Sequence, residues 1–354
     1  MLAVPYNFQF NISQFFQSSF NVMLARQAPL TLFRFYLYIL GLFYLAVRSD
    51  LRQHVAAGVR ASLPRRDPWP WNLYLMWKTY LGIFEHYVEK MINAYHPTER
   101  LERYLYEQSK IHNEDWLIGA TLAQRGVLMV SGHFGAVEYL PLFLALQGYK
   151  PAIIMRFKTA RLRQECIERC RQFDVQAIDA DQPHAALKAL KAVKQGRILI
   201  TLCDEFNHWR PHRDRYIDVL GRRVRLDRTL DVLYRRHRPA SCLGIVKRHK
   251  GGFTLHIEPI TDGDEPISLA ERAWRLLEPY ILRFPDQWYQ WREVAERLAA
   301  YEGQNTPEVL PSRAKGHPQR FEETSAKAGK VVPLCGKGHM EKPPPAPQIV
   351  DNAA

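Results

Sequence analysis

Several things are scarce or missing in this chain of 354 residues, and each absence removes a class of protein. It has five cysteines, an odd number, which argues against a disulfide framework. Cys166 and Cys170 share one face of a predicted helix with Leu162 and Phe173, Cys203 ends a strand and Cys242 starts another; such thiols read as small reduced core residues. Cys335 and His339 have some metal-ligand character, but two further spaced ligands are missing, so no metal site is expected. A glycine-rich dinucleotide fingerprint and a P-loop are both absent, which weighs against NAD and ATP chemistry. No internal repeat of fixed period is found. Nor is there an uninterrupted apolar run of the roughly 20 residues that a spanning helix needs; the uncharged stretch Phe35 to Val47 is shorter.

Basic charge, by contrast, is plentiful. The formal net charge is +13, and residues 1–300 carry 42 Lys and Arg against 30 Asp and Glu. The charge therefore belongs to the body of the chain and implies acidic partners such as anionic lipid, the phosphates of a thioester cofactor, an acidic carrier protein or nucleic acid. Its densest part runs from Arg210 to Arg238. Arginine grips phosphate in a bidentate way, but a solvated basic face accounts for most of the ten arginines in that segment. A nucleic-acid module would want a recognised motif or aromatics interleaved with the charge, and this segment offers mainly Tyr216 and Tyr234. Nucleic acid is not expected as a partner.

The composition divides the chain in three. Residues 1–60 contain the apolar segment Leu30 to Val47, rich in Phe, Tyr and Leu and flanked by Arg48 and Arg52. This predicts a helix in or partly through a membrane interface, with a buried core helix as the plainer reading. Residues 61–300 form the folded domain. Residues 301–354 are aperiodic and proline-rich, so a disordered tail is expected there. Within the domain, an aromatic stretch between residues 69 and 95 reads as a core helix; Glu85 and His86, polar residues in mid-stripe, are not assigned to a site. From residue 126 onward, short apolar runs alternate with helical segments: strands at 127–130, 152–155, 175–178 and 197–202, helices at 159–173 and 183–195. Two further strands, 241–248 and 253–259, flank Lys250-Gly251-Gly252 and form a hairpin. The fold class is therefore α/β, a mixed, largely parallel sheet flanked by helices, with an N-terminal membrane-associated helical segment.

The most informative feature is Gly132-His133-Phe134-Gly135-Ala136-Val137-Glu138, directly after the buried strand Val127 to Val130. Ligands of open α/β sheets collect at the carboxyl ends of strands, so a titratable pair here is placed for chemistry. On a regular helix His133 and Glu138 would point about 140° apart, so His133 must lie in the loop and fold back toward Glu138. A neutral imidazole oriented by a carboxylate can take the proton from an attacking hydroxyl, and no seryl or cysteinyl nucleophile is needed.

These residues resemble the H-x-x-x-x-D/E motif of the lysophospholipid acyltransferase superfamily, and within it the bacterial lipid A late acyltransferases. Further segments share the likeness over most of residues 30–295: Ile153 to Arg156, a strand ending in arginine; Ile198 to Asp204, a strand ending in aspartate; Leu220-Gly221 with the helix and strand that follow; and Asp286 to Arg292, with its Gln-Trp pairs. The chain departs from the pattern at Glu205, where glutamine is usual, at Val219-Leu220 and at Val137. The resemblance implies an O-acyltransferase acting on a hydroxyl of a lipid or glycolipid at the cytoplasmic face of a bacterial inner membrane. His133 and Glu138 would be catalytic, with Gly135, Arg156 and Asp204 in the substrate site. No bound cofactor is implied; acyl carrier protein or coenzyme A would bring the acyl thioester, and anionic membrane lipid would be a partner. A hydrolase using the same pair on water, and a non-catalytic basic membrane- or nucleic-acid-binding protein, are the rival readings.

Overall fold

A computed structural model describes residues 16–63, 69–157, 159–235, 237–261 and 267–298. The tail expected at 301–354 lies outside the described residues, as does the start of the N-terminal region.

The strands are β1 (Ser109–His112), β2 (Val127–Ser131), β3 (Pro151–Met155), β4 (Gln176–Asp179), β5 (Ile198–Leu202), β6 (Pro211–Val219), β7 (Arg222–Asp227), β8 (Ala240–His249) and β9 (Gly252–Pro259). Seven make one sheet in the order β1-β9-β8-β2-β5-β3-β4. Every neighbouring pair is parallel except β8 and β9, which form the hairpin expected around Gly251. The sheet is therefore mixed and largely parallel, as the alternation of short apolar runs with helices predicts. Central β2 is buried at all five positions, which is why it reads as a continuous apolar run rather than an alternating one. Helices Ala160–Gln172 and Ala185–Lys194 lead from β3 to β4 and from β4 to β5.

β6 and β7 stand apart as a two-stranded antiparallel ribbon. The arginine run was expected to be a solvated face, and the ribbon is its structural basis. Ile217 and Val219 on β6 and Val224 and Leu226 on β7 are buried, while Arg213, Arg223 and Arg225 are exposed. The tight turn is Leu220-Gly221, both at positive φ.

At the N-terminal side, helix Leu30–Val47 follows helix Ser19–Gln27 and precedes Ser49–Ser62. By length and composition it could cross a membrane. It is nevertheless part of the fold on one face, where Phe33, Leu37, Gly41, Tyr44 and Leu45 are buried. At about 100° per residue these cluster on the side opposite Leu32, Phe35, Ile39, Phe43 and Val47, all of which are exposed. Gly41 is required by the packing: a Cβ there would come within 2.8 Å of the Phe84 ring on the long helix Trp69–Tyr95. That long helix is core only in its second half. Phe84, Val88, Met91, Ile92 and Tyr95 are buried, whereas Leu73, Tyr74 and Trp77 remain exposed.

Candidate active site

The site is set by strand register. β2 and β5 lie side by side with Ser131 opposite Leu202. Two residues beyond each of these ends stand His133 and Asp204, so the parallel pairing carries both to the same point on the carboxyl edge of the sheet. The His133 Nδ1 lies 2.7 Å from Asp204 Oδ1. Asp204 Oδ2 accepts the His133 backbone N–H and the Trp288 indole N–H, each at 2.7 Å. Three N–H groups thus converge on one carboxylate, whose side chain is wholly buried. Behind it, Trp288 packs edge-on to Trp291 and Phe206, and Phe206 stacks on Trp274.

This corrects the expected pairing. Glu138 does not reach His133. Its carboxylate is 3.1 Å from His86 Nε2 and 3.2 Å from Lys90 Nζ, both on helix 69–95. The turn after Gly135 puts Glu138 in a short 3-10 segment, Val137–Tyr139, and the Asn93 side chain donates to its backbone carbonyl at 2.8 Å. Asp204, expected among the substrate contacts, is the carboxylate that the structure sets against the imidazole. His86, set aside as a core residue, is also at the site: its ring stacks on Tyr289 at 3.7 Å, and Tyr289 meets His133 edge-on at 4.6 Å.

The loop that holds His133 is tied down from two sides. Gly135 N–H donates to the Gln287 carbonyl at 2.8 Å, and Tyr289 N–H to the His133 carbonyl at 3.3 Å. On the other side Arg248 of β8 donates to the Gly135 carbonyl at 2.6 Å while gripping buried Glu89 through two nitrogens. Gly135 has φ +58°, and a Cβ there would sit 1.7 Å from the Val246 carbonyl oxygen. Glycine is obligatory at this crossing, where the loop passes β8.

With Asp204 at 2.7 Å and the Gln290 side-chain nitrogen at 2.9 Å both against Nδ1, Nε2 is the nitrogen left for chemistry. Glu205 Oε1 is 3.6 Å from it. Arg156, at the end of β3, pairs with Asp181 at 3.2 Å and has its Nε 4.0 Å from Glu205. Arg156 thus lies next to Glu205, whereas the arginines of the ribbon belong to a separate sheet. Burial pulls the His133 imidazole down, but Asp204 at hydrogen-bonding distance and then Glu205 outweigh it; Lys90 opposes them, and the net direction is up from the ordinary histidine value. Among the described residues no hydroxyl or thiol hydrogen-bonds to Nε2. The Ser131 hydroxyl is spent on the Gly244 carbonyl at 2.6 Å, and burial holds the Cys203 thiol well above its ordinary value.

A buried carboxylate–imidazole pair thus stands at the carboxyl edge of a mostly parallel α/β sheet, an arrangement whose chemistry suits proton transfer. Comparison narrows the reading. The family model of the bacterial lipid A biosynthesis acyltransferases matches residues 83–292, more than half of the chain, and the protein belongs to that family. A search of the curated proteins finds no match. The family implies an acyltransferase, and the matched span contains His133, Glu138, Arg156, Asp204 and Trp288 alike.

Proposed function

We propose that the protein moves a fatty acyl group from a thioester, acyl carrier protein or coenzyme A, to a hydroxyl of a lipid or glycolipid, with His133 as general base and Asp204 as its orienting partner. The observation that carries this reading is the His133–Asp204 contact at 2.7 Å, with Nε2 left beside the partly exposed Glu205 carboxylate. The Nδ1–H donates to Asp204, so Nε2 has the lone pair. It takes the proton as the acceptor oxygen attacks the thioester carbonyl. The C–O bond forms, the tetrahedral intermediate collapses, the C–S bond breaks, and the proton on Nε2 passes to the departing thiolate. Asp204 stabilises the imidazolium that exists between these two transfers. Among the described residues no hydroxyl or thiol hydrogen-bonds to Nε2, which favours direct transfer over an acyl-enzyme.

The lipid acceptor is reached at a membrane surface. The exposed row Leu32, Phe35, Ile39, Phe43 and Val47 makes one apolar face about 120° wide, and Phe20 and Met23 on the preceding helix are exposed as well. Because the opposite face is bound to the core, the helix lies in the interface with the body attached, rather than crossing alone. The reading places the protein at the cytoplasmic face of a bacterial inner membrane, where thioester donors are found, with anionic lipid meeting its basic body.

The test is thioester consumption by the full chain in detergent, with and without a lipid acceptor. His133→Ala should fold normally and lose about 10²- to 10⁴-fold in rate, the usual cost of a general base. Activity within tenfold of wild type would sink the mechanism. Cleavage that ignores the lipid would identify a hydrolase, and no cleavage by wild type a binding protein. Mass spectrometry of lipids from cells lacking the protein would name the acceptor through its missing acyl chain.

A further inference from the structure

Asp204 and Glu205 are consecutive but face opposite ways. The Asp204 side chain is fully buried, while that of Glu205 is 36% exposed and turned toward the reacting nitrogen. At 3.6 Å from Nε2 the Glu205 carboxylate is too far for a hydrogen bond to the ring. Its other oxygen is 4.0 Å from Arg156 Nε, also beyond that range. Among the described residues no protein group donates a hydrogen bond to this carboxylate. An accessible acceptor with unfilled lone pairs therefore borders the position that an incoming hydroxyl must occupy.

A hydroxyl has one proton. During transfer that proton goes to Nε2, so the reacting oxygen can offer Glu205 only lone pairs, which a carboxylate repels. A second donor has to face it. Resting on the acyl-transfer reading above, we propose that Glu205 binds the acceptor through a neighbouring hydroxyl or amide N–H, and so selects a diol- or amide-type acceptor over one whose reacting hydroxyl is flanked by an anion. Arg156, itself paired with Asp181, lies 4.0 Å from the far oxygen of Glu205 and places positive charge behind the carboxylate.

The charged surroundings of His133 make the assignment measurable in a second way. Asp204 and Glu205 face the ring from the segment after β5, Lys90 and His86 from helix 69–95, and Tyr289 from the loop before the last helix; Arg156 lies behind Glu205 and Glu138 behind His86. Glu205 is one of the groups that stabilise the imidazolium. Removing its charge should therefore make His133 easier to deprotonate.

The experiment compares kcat/KM, with acyl-coenzyme A as donor, for three acceptors: a 1-monoacylglycerol, its 2-O-methyl ether, and a 1-acylglycerol 3-phosphate. Wild type should prefer the diol to the ether by about tenfold or more, the range of a hydrogen bond to a charged group. Glu205→Ala should level the two, and Glu205→Gln should raise the relative rate on the phosphate. An unchanged diol-to-ether ratio in Glu205→Ala would overturn the assignment. In parallel, the acid limb of His133-dependent thioester cleavage by water should move to lower pH in Glu205→Gln; an unmoved limb would show that Glu205 is not beside Nε2. If wild type acylates none of the three while that cleavage persists, selection of a diol acceptor by Glu205 falls, whereas acyl transfer itself falls only if the cleavage ignores every lipid and glycolipid acceptor.

Discussion

Replacing Asp204 by Asn exchanges one oxygen for an NH₂ group and leaves the shape unchanged, which makes it a sharp probe of what the carboxylate does. The native carboxylate accepts three N–H donors: Nδ1 at Oδ1, and the His133 amide and Trp288 indole at Oδ2. The Asn amide has two orientations. With its oxygen toward Nδ1, its NH₂ meets two N–H groups head-on and orphans both, at about 1–3 kcal/mol each. With its oxygen toward the amide and indole, both are satisfied, and the NH₂ faces Nδ1. The second arrangement is favoured by roughly 2–6 kcal/mol on the same count, and it forces Nδ1 to become an acceptor. The ring proton then sits on Nε2, and the base has no lone pair where the hydroxyl arrives. Asp204→Asn should thus keep its Tm within a few degrees yet lose about 10³- to 10⁴-fold in turnover, as a wrong tautomer does in other histidine–carboxylate systems. Thioester release measures the rate, and ring ¹⁵N shifts report the tautomer. Glu138→Gln is the control: its carboxylate touches His86 and Lys90 but not the reacting ring, so the loss should stay under about tenfold. An Asp204→Asn enzyme within tenfold of wild type, or a Glu138→Gln enzyme that is the more damaged of the two, would refute this reasoning.

Further outcomes follow from the same geometry. Since the neighbours of His133 raise its affinity for a proton, and the base must be neutral, wild-type turnover should rise with pH through a value above the ordinary 6.5; a limb below that value would contradict the net effect of Asp204 and Glu205. Gly135→Ala combines a left-handed backbone with a Cβ driven into the Val246 carbonyl; it should lower Tm by about 4–8 °C, as a loss of roughly 2 kcal/mol would in a domain of this size, and displace the His133 loop so that activity falls as well. Replacing Phe35 and Phe43 together by Ser should weaken binding to anionic vesicles by on the order of tenfold or more, since a fully buried phenylalanine contributes roughly 1.5–3 kcal/mol, with turnover on detergent-dispersed acceptor retained. Equal loss in both assays would mean that these residues serve the fold instead.

How much was legible in the sequence depended on whether the signal was local. β2, β5 and the β8–β9 hairpin stand out as short apolar runs bounded by Gly, Ser or Asp, because burial on both faces leaves no polar positions in them. His133 was placed at a strand end for the same reason. Its partner was not legible: 71 residues separate His133 from Asp204, and only the register of β2 against β5 brings them together. Glu138, five residues away, was the nearer candidate, but the turn at Gly135 carries it toward helix 69–95. His86 looked like a polar interruption of an aromatic stripe because nothing in the stripe announces Tyr289 or Glu138 as neighbours. The β6–β7 ribbon was hidden by charge. Its alternation of Val224 and Leu226 with arginines is a period-2 signal, and the Leu220-Gly221 turn confirms it once the strands are seen.

Helix 30–47 has a practical meaning for anyone preparing this protein. An ordinary membrane leash can be cut away to leave a soluble catalytic domain. Here Phe33, Leu37, Tyr44 and Leu45 belong to the same buried cluster as Phe84, Met129 and Val246, so the segment is a wall of the building and not a mooring rope. Truncation to the span shared with the family, residues 83–292, would open that wall and remove much of the helix bearing His86 and Lys90. Solubility is better sought by recolouring the outer paint, at Leu32, Phe35, Ile39, Phe43 and Val47, while every inward residue is left as it stands.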